Sequence, residues 1–378
     1  MSPAYVDPQT GRTFPLDRPR WRSDEGNPLL ITPLPGIGRG DIERGLRSLW
    51  RYRAAFPFDP HVAPITLGEG CTPLIETRLD GSVVLAKAEW FSPTGSFKDR
   101  GASVMLSGLR AQGIGAVLED SSGNGGAAIA AYAAAGGLRA KILVPAATAP
   151  AKTLQIEAYG AEIERVPGTR QDCADEAVRQ AGRLFYASHN WHPFFLQGTK
   201  TLAYELWEDL EFRAPDAVIA PCGAGSVVLG LEIGFAELLR AGEIDRVPRL
   251  FAVQPEACAP IAAAFRAGVD HAVPCEIRQT IAEGTAIARP IRLREVLGAV
   301  RATEGGVVTV AEEEIVSALF ALAKRGLFVE PTCASALAAW RKLRAAGTLS
   351  ERDNTVLILT GTGLKSAQRF AEVMEARG

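Results

Sequence analysis

Histidine is scarce in this chain: four residues, at positions 61, 189, 192 and 271, none paired at the spacing of metal ligands. A hydrolytic metal centre is therefore not expected. The six cysteines, at 71, 173, 222, 258, 275 and 333, include no Cys-x-x-Cys pair and read as reduced thiols rather than a disulfide frame. No apolar stretch reaches the length of a membrane span, and the amino terminus lacks a charged segment followed by an apolar one. A cytoplasmic protein without a membrane partner is the expectation. Charge of one sign is missing too: 41 basic and 43 acidic residues leave a net charge of -2, which gives no basic footprint for nucleic acid. No internal repeat or low-complexity tract is apparent.

What is present is core-forming material. With 378 residues, 47% of them hydrophobic, the chain can bury two cores. Apolar runs at 116–118, 141–144, 162–166, 216–220, 250–254 and 355–360 alternate with helical stretches. That alternation predicts an α/β fold of parallel sheets covered by helices, with ligands at the carboxyl ends of the strands.

Four segments carry chemistry at such ends. Ser92-Pro-Thr-Gly-Ser-Phe-Lys98-Asp-Arg-Gly101 places one lysine in a glycine-and-hydroxyl turn directly before an alanine-rich helical run. The positive end of a helix dipole favours the neutral amine, which can form a Schiff base with an aldehyde. A solvated loop lysine fits the same pattern. Ser121-Ser-Gly-Asn-Gly-Gly126 follows an apolar run and precedes a helix. Its amides and hydroxyls can hold a carboxylate, and Asn124 can hydrogen-bond a phenolic oxygen. Pro221-Cys-Gly-Ala-Gly-Ser-Val227 has the form of a phosphate cradle, without the lysine of a Walker A loop or the spacing of a dinucleotide fingerprint. Leu359-Thr-Gly-Thr-Gly-Leu-Lys365 ends a buried strand in a hydroxyl that can face a pyridine nitrogen. Each of these three is also what a plain strand-to-helix turn requires.

In this order the segments resemble the pyridoxal-phosphate enzymes of the tryptophan-synthase-β group, fold type II, and most closely the threonine synthases. Leu67-Gly-Glu-Gly-Cys-Thr-Pro-Leu74, Tyr159-Gly-Ala-Glu, Gln197-Gly-Thr-Lys-Thr-Leu-Ala-Tyr-Glu205 and Gly326-Leu-Phe-Val-Glu-Pro331 extend the likeness over residues 66–376. The resemblance implies two parallel-sheet domains with pyridoxal 5'-phosphate in the cleft between them. It divides the chain into an amino-terminal extension at 1–50, a large cofactor domain at 51–104 plus 206–378, and a small domain at 105–205. It also implies that Lys98 carries the cofactor and acts as base at Cα, that Asn124 contacts the ring's 3-oxygen, and that Gly223, Ala224, Gly225 and Ser226 bind the phosphate. Thr360 would face the ring nitrogen, and Ser121, Ser122 and Gly123 would hold the substrate carboxylate. A small amino acid as substrate, a possible second nucleophile and a homodimer follow from the same likeness.

Departures from the family bear on the substrate. Gly125 stands where threonine synthases usually continue the asparagine loop with threonine, and Phe195 stands where their arginine is expected. Loss of that phosphate clamp makes O-phosphohomoserine a doubtful substrate. Gln279-Thr-Ile-Ala-Glu-Gly-Thr-Ala-Ile-Ala-Arg-Pro290 looks more like threonine and serine dehydratases, and Glu283 in it is either a proton donor to a leaving group or a solvated loop residue. The chain thus reads as a lyase of elimination or replacement, an authentic threonine synthase or a threonine/serine-type ammonia-lyase being the alternatives. A protein that binds the cofactor without catalysis, or a nucleotide enzyme, explains fewer of the segments. His189 and His192 fall near the proposed substrate pocket, where they bind an anionic group or simply pack. Lys200 and Arg289 are further possible anion contacts. The first thirty residues resemble, without any cysteine, the outline of the cysteine-bearing ribbon of some relatives, so no zinc site is expected there.

Overall fold

The computed structural model describes residues 2–375. By contacts the chain divides into two compact units, one of Met1–Cys71 with Lys98–Thr201, the other of Thr72–Phe97 with Leu202–Gly378. Among the described residues no helix is long and apolar enough to cross a membrane.

The first unit holds a four-stranded parallel sheet in the order Glu162–Val166, Arg139–Pro145, Ala116–Glu119, Phe185–Tyr186. Residues 1–50 group with this unit, and a small antiparallel ribbon of Thr13–Pro15, Ala4–Val6 and Leu30–Ile31 lies within them. Alanine, the best helix former, fills Asn124–Gly136, and Gly137 ends that helix in the left-handed region at φ +69°. Tyr5, Leu106, Ile129, Tyr132 and Phe195 belong to one buried core.

Glu69 shows what the Leu67–Leu74 motif is for in this unit. Its buried carboxylate accepts hydrogen bonds from Ser103 Oγ at 2.6 Å, Tyr132 Oη at 2.8 Å, the Leu67 amide at 2.9 Å and Thr66 Oγ1 at 3.1 Å. Four donors satisfy a charge that burial would otherwise make costly. The glycine beside it has φ +91°, and a Cβ there would stand 2.6 Å from the Leu49 amide nitrogen. The motif is structural.

The second unit holds a six-stranded sheet in the order Gly306–Val310, Arg249–Pro255, Ala217–Pro221, Thr355–Leu359, Ser82–Ala88, Leu74–Leu79. All neighbours are parallel except the last pair, a hairpin closed by Asp80 and Gly81, both at positive φ. That Asp-Gly pair suits the two-residue turn of a hairpin. Ala217–Pro221 and Thr355–Leu359 are buried at every residue, as expected of strands covered on both faces. Buried Lys87 donates to Glu205 at 2.7 Å and Asp209 at 2.6 Å, so this charge is buried in bonded pairs.

Candidate active site

Lys98 opens the helix Lys98–Ala111 in the first unit and is half-buried. The residues that lead into it are held in the second unit: Phe97 donates its amide to the Thr360 carbonyl at 3.0 Å, and Thr362 donates to the Gly95 carbonyl at 3.1 Å. Gly95 is at φ +84°, and a Cβ on it would stand 3.0 Å from Thr362 Cγ2. Its backbone therefore requires glycine. The Lys98 nitrogen lies 5.5 Å from the centroid of the Phe195 ring.

The asparagine loop follows the strand Ala116–Glu119. Asn124 is the first residue of its helix, with Gly123 before it as the cap. Ser121 is buried, Ser122 and Asn124 are half-buried and Gly123 is exposed, so the turn presents polar atoms at its rim. A Cβ on Gly126 would fall 1.9 Å from the Ser121 carbonyl oxygen, which makes this close turn possible only with glycine. Behind the loop sits a cluster of ionisable side chains. His189 Nδ1 is 2.6 Å from Glu119 Oε1, and its amide donates to Glu119 Oε2 at 3.1 Å. Tyr186 Oη donates to Asp120 Oδ1 at 2.6 Å. All four side chains are buried. Burial pushes the Glu119 carboxyl up to about 7 and the Asp120 carboxyl upward, and it holds the His189 imidazole well below its ordinary value.

In the second unit the strand Ala217–Pro221 runs into Cys222, Gly223, Ala224 and Gly225, and the helix Ser226–Arg240 begins there. Gly225 is at φ +92°, and a Cβ on it would stand 2.2 Å from Val296 Cγ2. A Cβ on Gly223 would be 3.0 Å from Ile287 and 3.1 Å from the Gly284 carbonyl oxygen. Glycine at the cap position gives the helix's leading amides no side-chain cap, at the positive end of a fifteen-residue dipole where an anion is favoured. Cys222 is fully buried, and its thiol is pushed up to about 12, so it packs. Thr360, also buried, donates to Glu330 Oε1 at 3.1 Å, and Cys333 Sγ is 3.4 Å from the same hydroxyl.

Residues 65–361 match the family described as pyridoxal-phosphate dependent enzyme. The chain belongs to that family. The enzyme is 35% identical over 368 residues to the threonine synthase of Methanocaldococcus jannaschii, covering 94% of this chain and 91% of the relative. Its fold matches the processed threonine deaminase isoform 2 from Solanum lycopersicum, with a TM-score of 0.70, 22% identity, and coverage of 93% of this chain and 98% of that one. A second threonine deaminase, from T.th., is similar at 28% identity and a TM-score of 0.63, covering 77% and 92%. Pyridoxal 5'-phosphate is thus its cofactor, and the uncapped glycine cradle at Ser226 has the chemistry that a phosphate needs.

The other residues singled out in the sequence of this pyridoxal-phosphate enzyme divide sharply. Glu283 is exposed, and its Oε1 accepts a hydrogen bond from Arg369 Nη2 at 2.8 Å. Arg289 is also exposed. Lys200 is fully buried and donates to the Ala55 carbonyl at 2.7 Å and to Gln197 Oε1 at 2.6 Å, so it serves the core. Phe195 is fully buried, packed where a Cβ on Gly101 would come within 2.4 Å of its ring. His192 caps the helix Pro193–Thr199 through Nδ1 and packs among Tyr5, Phe185 and Phe194. His189, by contrast, lies against the asparagine loop. Glu119, Glu330 and Cys333 were not among the residues that sequence reasoning raised as candidates. Glu330 sat inside a recognised motif, Gly326–Pro331, but nothing in that motif showed that it meets Thr360.

Proposed function

We propose that this enzyme catalyses elimination or replacement at the side chain of a small amino acid that carries no distal phosphate. The observation that supports this most directly is Phe195, an apolar ring buried against the lysine helix where a phosphate-reading arginine would be needed. A buried aromatic face offers no donor, and an anion placed against it would lose its solvation without compensation. Likeness to a threonine deaminase at 28% identity supports the elimination branch.

In this reading Lys98 holds the cofactor through Nζ and afterwards takes the proton from the substrate's Cα. The amides of Gly223, Ala224, Gly225 and Ser226 hold the phosphate, Asn124 the ring's 3-oxygen, and Thr360 the ring nitrogen. Ser121, Ser122 and Gly123 hold the substrate carboxylate. When bound, pyridoxal phosphate supplies an electron sink for the charge that develops at Cα. Thr360 gives its own hydrogen bond to Glu330, which fixes the direction of the hydroxyl.

A second reading has a specific observation behind it. Identity of 35% across nearly the whole of the Methanocaldococcus jannaschii threonine synthase favours formation of threonine from O-phosphohomoserine. The deciding experiment is mass spectrometry of the cofactor-loaded enzyme with serine, threonine, homoserine, O-phosphohomoserine and diaminopropionate, with and without a thiol or amine. A 2-oxo acid and ammonia, or a side-chain-substituted amino acid when the thiol or amine is present, from an unphosphorylated substrate is the expected result. Threonine and phosphate from phosphohomoserine as the principal products would overturn it.

A further inference from the structure

Gly125 and Phe195, two positions far apart in the chain, meet at a third residue. The His189 ring stands T-shaped to Phe195 with centroids 5.9 Å apart. A Cβ added at Gly125 would come within 2.8 Å of His189 Cε1 and Nδ1 and 3.0 Å of Ser121 Oγ. Threonine at 125 and the imidazole in this position therefore exclude each other: the side chain missing from the loop is the space that the ring occupies. Gly125, Phe195 and His189 form one local arrangement, and the Lys98 nitrogen is 5.5 Å from the centroid of the same phenyl ring.

The imidazole is held from one side. Glu119 grips it twice, at Nδ1 and at the main-chain amide, which sets the ring's orientation. The described residues bond the ring at Nδ1 alone, and Nε2 is not one of their fully buried unpartnered polar atoms, so it keeps access to solvent although the residue is only 4% exposed. A nitrogen left open beside the loop assigned above to the substrate can pair with a bound ligand.

We propose that His189 is a catalytic residue that donates a proton from Nε2 to the hydroxyl leaving the Cβ of a small hydroxy amino acid, with Glu119 as its positioning residue. This rests on the elimination reading above. The Cβ–O bond breaks with its electron pair on oxygen, that oxygen takes the Nε2 proton, and water departs. The proton lying between Nδ1 and Glu119 Oε1 settles on Nδ1, so the pair ends one proton short and Lys98, having taken the Cα proton, one proton ahead. Returning that proton closes the cycle without any further reactant.

The two proton transfers can be measured separately in the cofactor-loaded enzyme with L-serine and L-threonine as probes. Exchange of the α-proton in deuterated water reports Lys98, and 2-oxo acid formation reports departure of the hydroxyl. His189→Asn is expected to slow 2-oxo acid formation about 100-fold or more while exchange stays within about threefold. Glu119→Gln, which keeps the shape of the pair, is expected to give the same split at roughly tenfold. With ¹⁵N-labelled histidine, the ring signals lost in His189→Asn identify His189 in the spectrum, and Glu119→Gln is expected to shift them. Parallel loss of exchange and elimination in both variants, or no loss of elimination in either, overturns the proposal. Absence of exchange in the unmodified enzyme with both probes overturns the elimination reading itself.

Discussion

Two glycine loops end two buried strands in this enzyme, and the ground behind them differs completely. Behind residues 121–126 stand Glu119, Asp120, Tyr186 and His189, all buried and all ionisable. Behind residues 223–226 stand Cys222, inert by burial, and Gln254, whose amide nitrogen donates to the Cys222 carbonyl at 3.3 Å. A loop that holds a constant anion needs only amides and a helix dipole, and titratable neighbours would change its field with pH. The other loop borders groups that can exchange protons, and proton movement is what bond breaking on an amino acid requires. Similar turns, judged by their glycines alone, thus border different side chains, ionisable at one and not at the other.

The largest test of that contrast removes the lysine proposed to carry the cofactor. Lys98→Ala is expected to lower turnover by roughly 10³-fold or more and to abolish the covalent link to the cofactor, read by its absorbance. The glycine cradle should still bind the free cofactor. A fully active variant would break the assignment of Lys98.

Gly225→Ala tests the loop proposed to hold the phosphate. The left-handed backbone and the Val296 methyl at 2.2 Å together should cost about 2–4 kcal/mol in the cofactor-loaded protein. Thermal unfolding with and without phosphate compounds checks this, and an unchanged melting temperature would show that the loop relaxes freely.

Phe195→Arg sharpens the other side of the comparison. Use of O-phosphohomoserine should rise by roughly tenfold in kcat/KM, the worth of about one charge-assisted hydrogen bond, at some expense in stability. No gain would mean that the phenyl ring is core alone and that its identity says nothing of the substrate.

Much of the fold was legible because buried parallel strands are continuous apolar runs. Runs at 116–118, 250–254 and 355–360 correspond to Ala116–Glu119, Arg249–Pro255 and Thr355–Leu359, whereas Glu162–Val166 is a strand in which only Val166 is buried. The hairpin Leu74–Leu79 with Ser82–Ala88 was overlooked, although Asp80-Gly81 is a turn signal, because half-exposed strands interleave charged residues. Phe185–Tyr186, two residues long, carries too little pattern to be seen.

Side-chain partnership was legible hardly at all. His189 and His192 are three positions apart in one segment, yet one caps a helix within an aromatic cluster and the other faces a carboxylate beside the asparagine loop. Lys200 is indistinguishable in sequence from an anion contact, and its burial against Ala55 and Gln197 comes only from packing. The sequence by itself pointed to the cofactor class through the ordered set of motifs it shares with a known family, because each motif is written in consecutive residues, although each alone also fits a solvated lysine or a plain strand-to-helix turn. Only the tertiary structure decided that Glu119, Gly125, His189 and Phe195 share one place, because their contacts join strand, loop and helix across distant stretches of chain, and no consecutive pattern records which side chains the packing brings into touch.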